Sequence, residues 1–563
     1  MKQLLKLHQV LFISSLFITA SCHIKNSGPS QEVIDAIDLK RGNVIVCGAP
    51  DKQFGAVAFD MSGSEKIKEN FNLAIALLHS FEYDEAEKVF AKVIDAEPDC
   101  AMAYWGVAMS NFHPLWTPPT EAELKKGARA IEVAQSIQQK TKRETGYIDA
   151  IAAFYKDWNK VDHRTRSINF EKAMEKLHTE YPTDKEAAIF YALALDAAAD
   201  PTDKSFRNQK KAGQILSGLY ESEPNHPGVV HYIIHTYDYP ELANLALPAA
   251  RKYASIAPLS AHALHMSSHI FTRLGLWDEG IQSNLASVES AKCYAESAGI
   301  KGHWDEELHG LDYLVYSYLQ KGDNNLAKKQ WDYLQTINEV HPVTFKVAYA
   351  FAAIPSRYLL ENKMWKEAAN LEIHPQNFPW KNFPWQKAIV HFARLLGNVH
   401  IDNMDSARAE LKQLNTIHDT LVAQKDTYKA NQVQIQIKTA EAWIKLKEGK
   451  NDEALSLMNL AADMEDKTEK HPVTPGEVIP ARELLADMLM QLNKPAEAFA
   501  AYEADLKRHA NRFNALYGAG LAAEKSGDPK KAATYYHQLE SNVGTVASKR
   551  PELIEVKKFM KKM

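Results

Sequence analysis

Apolar residues recur at three- and four-residue spacing along most of the chain, and small residues punctuate that pattern at a fixed interval. Ala212, Ala246 and Gly280 are 34 residues apart, as are Ala498 and Ala532, and Pro224 and Pro258 keep the same step. Around each small residue the pattern predicts two antiparallel helices joined by a turn. In FNLAIALLHSFEYDEAEKVFAKVIDAEPD, Leu73, Ala74 and Leu77 precede the turn, and Ala86, Phe90 and Pro98 follow it. A unit of this length cannot bury its apolar face alone and must stack on its neighbours, so the period predicts an all-α solenoid. The one β-like stretch is GNVIVCGAPDKQFGAVAFD, Gly42 to Asp60, where Val44 and Val46 and then Ala56 and Ala58 alternate. It is expected to cap the end of the array.

These helix pairs resemble the tetratricopeptide repeat (TPR), and further matches are NALYGAGLAAEKSGDPKKAATYYHQLE, LLADMLMQLNKPAEAFAAYEADL and FTRLGLWDEGIQSNLAS. In such repeats the first helix lines the concave wall, with the second, fifth, ninth and twelfth residues facing the groove. Counting back from Ala246 places His231 and His235 at the fifth and ninth positions and Asp238 at the twelfth. From Gly280, His262, His265 and His269 take the second, fifth and ninth; from Ala327, His309, Asp312 and Tyr316 do so. In the earlier repeats Trp105 falls at a fifth position, and His79 and His113 occupy equivalent places near the end of their inner helices.

The segments LLHSF, CAMAYWG, HPLW, VVHYIIHTYDYP and SAHALHMSSHIFTRLGLW together resemble a family of exported bacterial TPR proteins, over roughly Cys47 to Trp331 and again in EVIPARELLADML. The resemblance implies the fold and treats the histidine face as one unit. It implies no reaction.

The N-terminus bears on compartment. Lys2 and Lys6 precede an apolar run from Val10 to Ala20, too short to span a membrane as a mature helix, and Thr19-Ala20-Ser21 leads into Cys22. That order reads as an export signal and resembles the bacterial lipobox, so Cys22 is the expected lipid attachment point on a bacterial membrane. The expected organisation is a signal peptide over 1–21, a polar tether over 22–40, a cap over 41–64, a TPR-like array carrying the histidines over 65–343, divergent helical repeats over 344–470 and C-terminal repeats over 471–563. The 563 residues are 45% hydrophobic and 24% charged, with a net charge of −5. That supplies a large core and no basic character for nucleic acid. Besides Cys22 there are Cys47, Cys100 and Cys293, which allow at most one disulfide and form no CxxC for metal.

Between Asn225 and His269 lie six histidines. His231 with His235, and His265 with His269, are i,i+4 pairs on single helix faces, and adjacent helices pack about 8 to 10 Å apart, close enough for both pairs to share one site. Four imidazoles with Asp238 or Asp312 nearby suit zinc, copper, nickel or iron. His226, beside Pro227 at a helix start, reads as a capping or exposed residue. HWDEELH lacks the HExxH order, and no GxSxG elbow, Walker loop or GxGxxG occurs. Two function classes follow. One is a membrane-tethered solenoid binding a protein, peptide or glycan in its groove, with an accessory role in nutrient uptake or polysaccharide degradation by analogy alone. The other is a metal-binding protein or metal-dependent enzyme built on the histidine cluster.

Overall fold

A computed structural model describes residues 28–48, 53–115 and 117–562. The expected signal peptide and Cys22 lie outside the described residues. Within them the chain forms twenty-six α-helices, and its only strands are the dipeptides His303–Trp304 and Val340–His341, paired in parallel. Consecutive helices pack as antiparallel neighbours, and the first helices of successive pairs also touch. This is an α-solenoid of TPR-like pairs. The small residues of the 34-residue step sit where helices approach most closely: Ala212, Ala246, Ala498 and Ala532 are fully buried, and a Cβ on Gly280 would lie 3.2 Å from Ser317 Oγ.

The chain curls tightly. Helix Glu65–His79 packs against helix Pro227–Thr236 four pairs later, and helix Asp305–Gln320 against Phe513–Lys525. The histidine face expected to line an open groove is therefore folded inward. The second closure is ionic. Arg512, fully buried, binds Glu483 Oε2 at 2.9 Å and Glu361 Oε1 at 2.8 Å, while the amide of Phe513 donates to Gln320 Oε1 at 2.9 Å.

The Gly42–Asp60 segment forms no strand where it is described. Its alternation serves a different end, because the extended arm lies across the first pairs with Phe54 and Phe59 buried in their core. Ala56 N donates to Asn225 O at 3.1 Å, and Gly55, at φ 97°, sits so close to Pro227 that a Cβ would meet its ring at 2.7 Å. Residues 30–40 are not a free tether either: Gln31–Asp35 is a short helix, and Ile34 and Ile37 are buried. Cys47 bonds to Cys293, and Cys100 remains a buried thiol. The apolar core divides between Phe271 and Val288, inside the expected 65–343 array. The reason is the polar layer inserted there, which carries the site.

Candidate metal centre

Three successive inner helices build the site. Pro227–Thr236 starts on a proline at its first position, and Ala261–Leu274 starts on Ser260, whose hydroxyl accepts from Ala263 N at 3.0 Å. The latter ends at Gly275 in the left-handed region, φ 64°. Asp305–Gln320 is the third. The turn spacing puts His231 and His235 on one face of the first, His262, His265 and His269 on the second, and His309 on the third.

Their ring nitrogens gather into two neighbouring triads, His231/His235/His262 and His265/His269/His309, within each of which the ligand-capable atoms lie inside 4.8 Å of one another. His235 and His269 join the triads, their ring centroids 6.4 Å apart. In the first triad His231 Nε2 lies 2.9 Å from His235 Nε2 and 3.2 Å from His262 Nε2. In the second, His265 Nε2 lies 3.1 Å from His269 Nε2, and the His265 and His309 rings are 4.1 Å apart. Only His235 is as much as partly exposed.

The outer nitrogens fix which tautomer each ring holds. Asn284 turns its amide nitrogen to Gly280 O at 2.7 Å, so its oxygen faces His265 Nδ1 at 2.7 Å and accepts the hydrogen bond of that N–H. Asp238 Oδ2, 3.0 Å from His269 Nδ1, likewise accepts. Burial favours the neutral carboxyl of Asp238, but Lys470, Arg273 and His269 overcome it and hold its pKa well below the usual range. His231 Nδ1 donates to the carbonyl of His79 at 2.6 Å. All three rings thus spend their protons outward and aim Nε2 lone pairs into the cluster. Anchoring of the distal nitrogen is the arrangement that orients metal-binding histidines.

Burial also keeps the cluster neutral. It holds His231, His235, His265 and His309 well below the ordinary histidine range and His262 at about 3, and it lowers His269 despite Asp238. Neutral lone pairs 3.1 Å apart repel unless a cation or proton lies between them. The Tyr313 hydroxyl makes only a long contact with His269 Nε2, at 3.4 Å, and shares it with Nδ1 at 3.3 Å.

A pH dependence follows. In the unfolded chain these histidines protonate near about 6.5, whereas the folded chain resists to a lower pH, so their contribution to stability is present above that value and is lost as pH falls below it. Each such group costs about 1.4 kcal/mol per pH unit below the unfolded value. Metal-free protein is expected to show a clearly lower denaturation midpoint at pH 5.5 than at pH 7.5. Equal midpoints would contradict neutral burial of the cluster.

The other expected site residues disperse. Asp312 is paired with the buried Arg357, and Tyr316 packs on Trp277 and accepts from Arg512 Nη1 at 3.3 Å. Trp105 is core, among Phe59, Tyr147 and Phe190. His113 pairs with Glu123 at 3.2 Å. His79 belongs to a third group with Glu186 and His226, and here the sequence expectation for His226 fails, since it is buried. His79 Nε2 and His226 Nε2 each approach a Glu186 oxygen at 2.9 Å, and His79 Nδ1 meets Tyr232 Oη at 3.0 Å. In that trio both rings donate to one carboxylate, while the buried His226 Nδ1 has no hydrogen-bond partner among the described residues. Its service to the centre is positional, because it holds the helix end whose carbonyl orients His231.

Sequence reasoning misses Glu186, Asn284, Arg273 and Lys470. Glu186 carries a signal, a lone acid entering the apolar run AAIFYALAL; the others belong to no repeat position facing the groove. Lys470 arrives from a loop 232 residues from Asp238, with Nζ 3.1 Å from its Oδ2.

No family model and no curated protein matches the chain. Among solved structures it is similar to a human IFIT1 dimer with m7Gppp-AAAA, at TM-score 0.34 and 11% identity, over 83% of this chain and 94% of that one. It is also similar to the APC/C hetero-tetramer Cut9-Hcn1, at TM-score 0.26 and 12% identity, over 88% and 97%. No ligand or activity comes with that likeness.

Proposed function

We propose that this helical-repeat scaffold is a metal-binding protein whose two histidine triads hold a pair of transition-metal ions. The observation that carries the reading is the pair of facing lone pairs on His265 and His269, both of whose Nδ1 protons are committed elsewhere. A purely structural cluster would place a well-aligned donor opposite each acceptor, and the Tyr313 hydroxyl that reaches His269 Nε2 at 3.4 Å is shared with its Nδ1 at 3.3 Å. Three imidazoles per ion leave coordination positions open, which suits Lewis-acid or redox chemistry as well as storage. Full-length protein purified from detergent, exposed in turn to zinc, copper, nickel and iron and then desalted, is expected to retain two ions of at least one of them by mass spectrometry. Folded protein that retains none would reject the reading and leave the histidines as a packed polar layer.

We also propose that the chain is exported and tethered through Cys22. The lipobox-like sequence supports this, and so does the Cys47–Cys293 bond, since disulfides persist in oxidising compartments. Wild-type protein should fractionate with membranes and Cys22→Ala should not; identical partitioning of the two would remove the tether.

A further inference from the structure

We infer that the two ions are unequal: the ion of His231, His235 and His262 exchanges with solvent, Phe81 is the cap that governs this exchange, and the ion of His265, His269 and His309 is locked in. This rests on the two-ion reading above. Each triad is covered by one aromatic ring that meets all three of its imidazoles. Over the second triad it is Tyr313, whose ring centroid lies 4.7, 5.0 and 5.5 Å from those of His265, His269 and His309. Over the first it is Phe81, at 4.4, 5.5 and 5.7 Å from His231, His235 and His262. Tyr313 is fully buried, whereas Phe81 is partly exposed, and so is His235, alone among the six histidines.

The two covers differ in what must move to lift them. Tyr313 stands in the middle of helix Asp305–Gln320, the helix that also carries His309, so it leaves only if inner helices part. The rings beneath it are pinned from outside as well, His265 by Asn284 and His269 by Asp238, which Arg273 and Lys470 hold in turn. Phe81 stands in a turn, and turns open at lower free energy than packed helices do.

That turn is also an odd place for a ring. Helix Glu65–His79 ends with the amide of Phe81 donating to Leu78 O at 3.1 Å and that of Glu82 donating to Leu77 O at 3.0 Å, which leaves Phe81 in the left-handed region at φ 58°. The same closing bond recurs at Leu276, Asp323, Lys450 and Asp528, where the left-handed residue is Gly275, Gly322, Gly449 or Gly527. Among the described residues Phe81 is the only aromatic in a turn closed this way, and a bulky side chain adopts that conformation at a cost in strain. What the chain gains in exchange is a ring set on three imidazoles, next to the one histidine that reaches the surface.

The test is metal release from the full chain, loaded with zinc, or with copper where zinc is not retained, into an excess of chromogenic chelator. One ion per chain is expected to leave fast and the other slowly. Phe81→Gly removes the ring and suits the left-handed turn, so it should speed the fast phase by about 10-fold, the factor that half-burial of such a ring can impose on an opening, and leave the slow phase unchanged. Phe81→Leu, which keeps an apolar side chain, should fall between. His262→Ala breaks the first triad alone and should abolish the fast ion while keeping the slow one. Release of both ions at one rate, wild-type rates in both Phe81 variants, or loss of the slow ion in His262→Ala would overturn the inference and leave the two-ion reading standing. Uptake of neither metal would overturn both.

Discussion

His265→Ala is expected to leave the chain with one tightly bound ion in place of two. As a proposed ligand His265 is held on three sides: its Nδ1 is fixed by Asn284, its ring lies 4.1 Å from that of His309 at a tilt of 49°, and its Nε2 faces His269. Removing it leaves the second triad with two imidazoles, so affinity at that position should fall by more than about 100-fold, beyond the 10- to 100-fold seen when only an outer partner of a ligand is lost. The first triad keeps all its donors and should keep its ion. Asn284→Ala should show the milder effect, because the imidazole remains but its tautomer is no longer dictated. His537→Ala, on an exposed ion pair with Glu540, is the matched control and should bind as the wild type does. Two ions held by His265→Ala at wild-type affinity would show that this residue is not a ligand.

Arg512→Ala is expected to lower stability by about 3 to 5 kcal/mol, the usual cost of breaking a buried ion pair from one side. Against a typical total of about 5 to 15 kcal/mol this is a large share. The guanidinium spans Glu361 and Glu483, which lie on different helices and are themselves fully buried, so its removal leaves two carboxylates without their cation. Even with Arg512 present, burial pushes Glu483 up to about 7, and without it the carboxyl should take up a proton more readily still. The deficit relative to wild type should therefore shrink between pH 7.5 and pH 5.5, measured by chemical denaturation. A deficit independent of pH would mean that the loss is one of packing and not of charge.

Much of the site was legible because a solenoid converts sequence period into spatial register. The fifth and ninth positions of two consecutive inner helices fall side by side whenever the pairs stack uniformly, so the 34-residue step between His231 and His265, and between His235 and His269, set the two pairs next to each other; the single four-histidine site expected from that step is instead divided, because His262 completes a triad with the first pair and His309 with the second. His262 and His309 follow from the same count. The register fails where contacts cross several repeats. Asp312 and Tyr316 occupy the positions equivalent to His265 and His269, yet Asp312 pairs with Arg357 of the next inner helix, Phe345–Glu361, and Tyr316 meets Arg512 because helix Asp305–Gln320 also packs against Phe513–Lys525. No local pattern announces that closure. The same limit hid Lys470, whose loop crosses the inner face, and it misread the Gly42–Asp60 arm, whose alternation reflects Phe54 and Phe59 burying into helices and not pairing with another strand.

The existence of two ions in two histidine triads is tested most directly by crystals of metal-loaded protein measured at the metal absorption edge. The expected anomalous difference map holds two peaks per chain, one bounded by His231, His235 and His262 and the other by His265, His269 and His309, each about 2.0 to 2.1 Å from its imidazole nitrogens. A map with no peak among these six rings, or with its strongest peak elsewhere in the chain, would contradict the assignment.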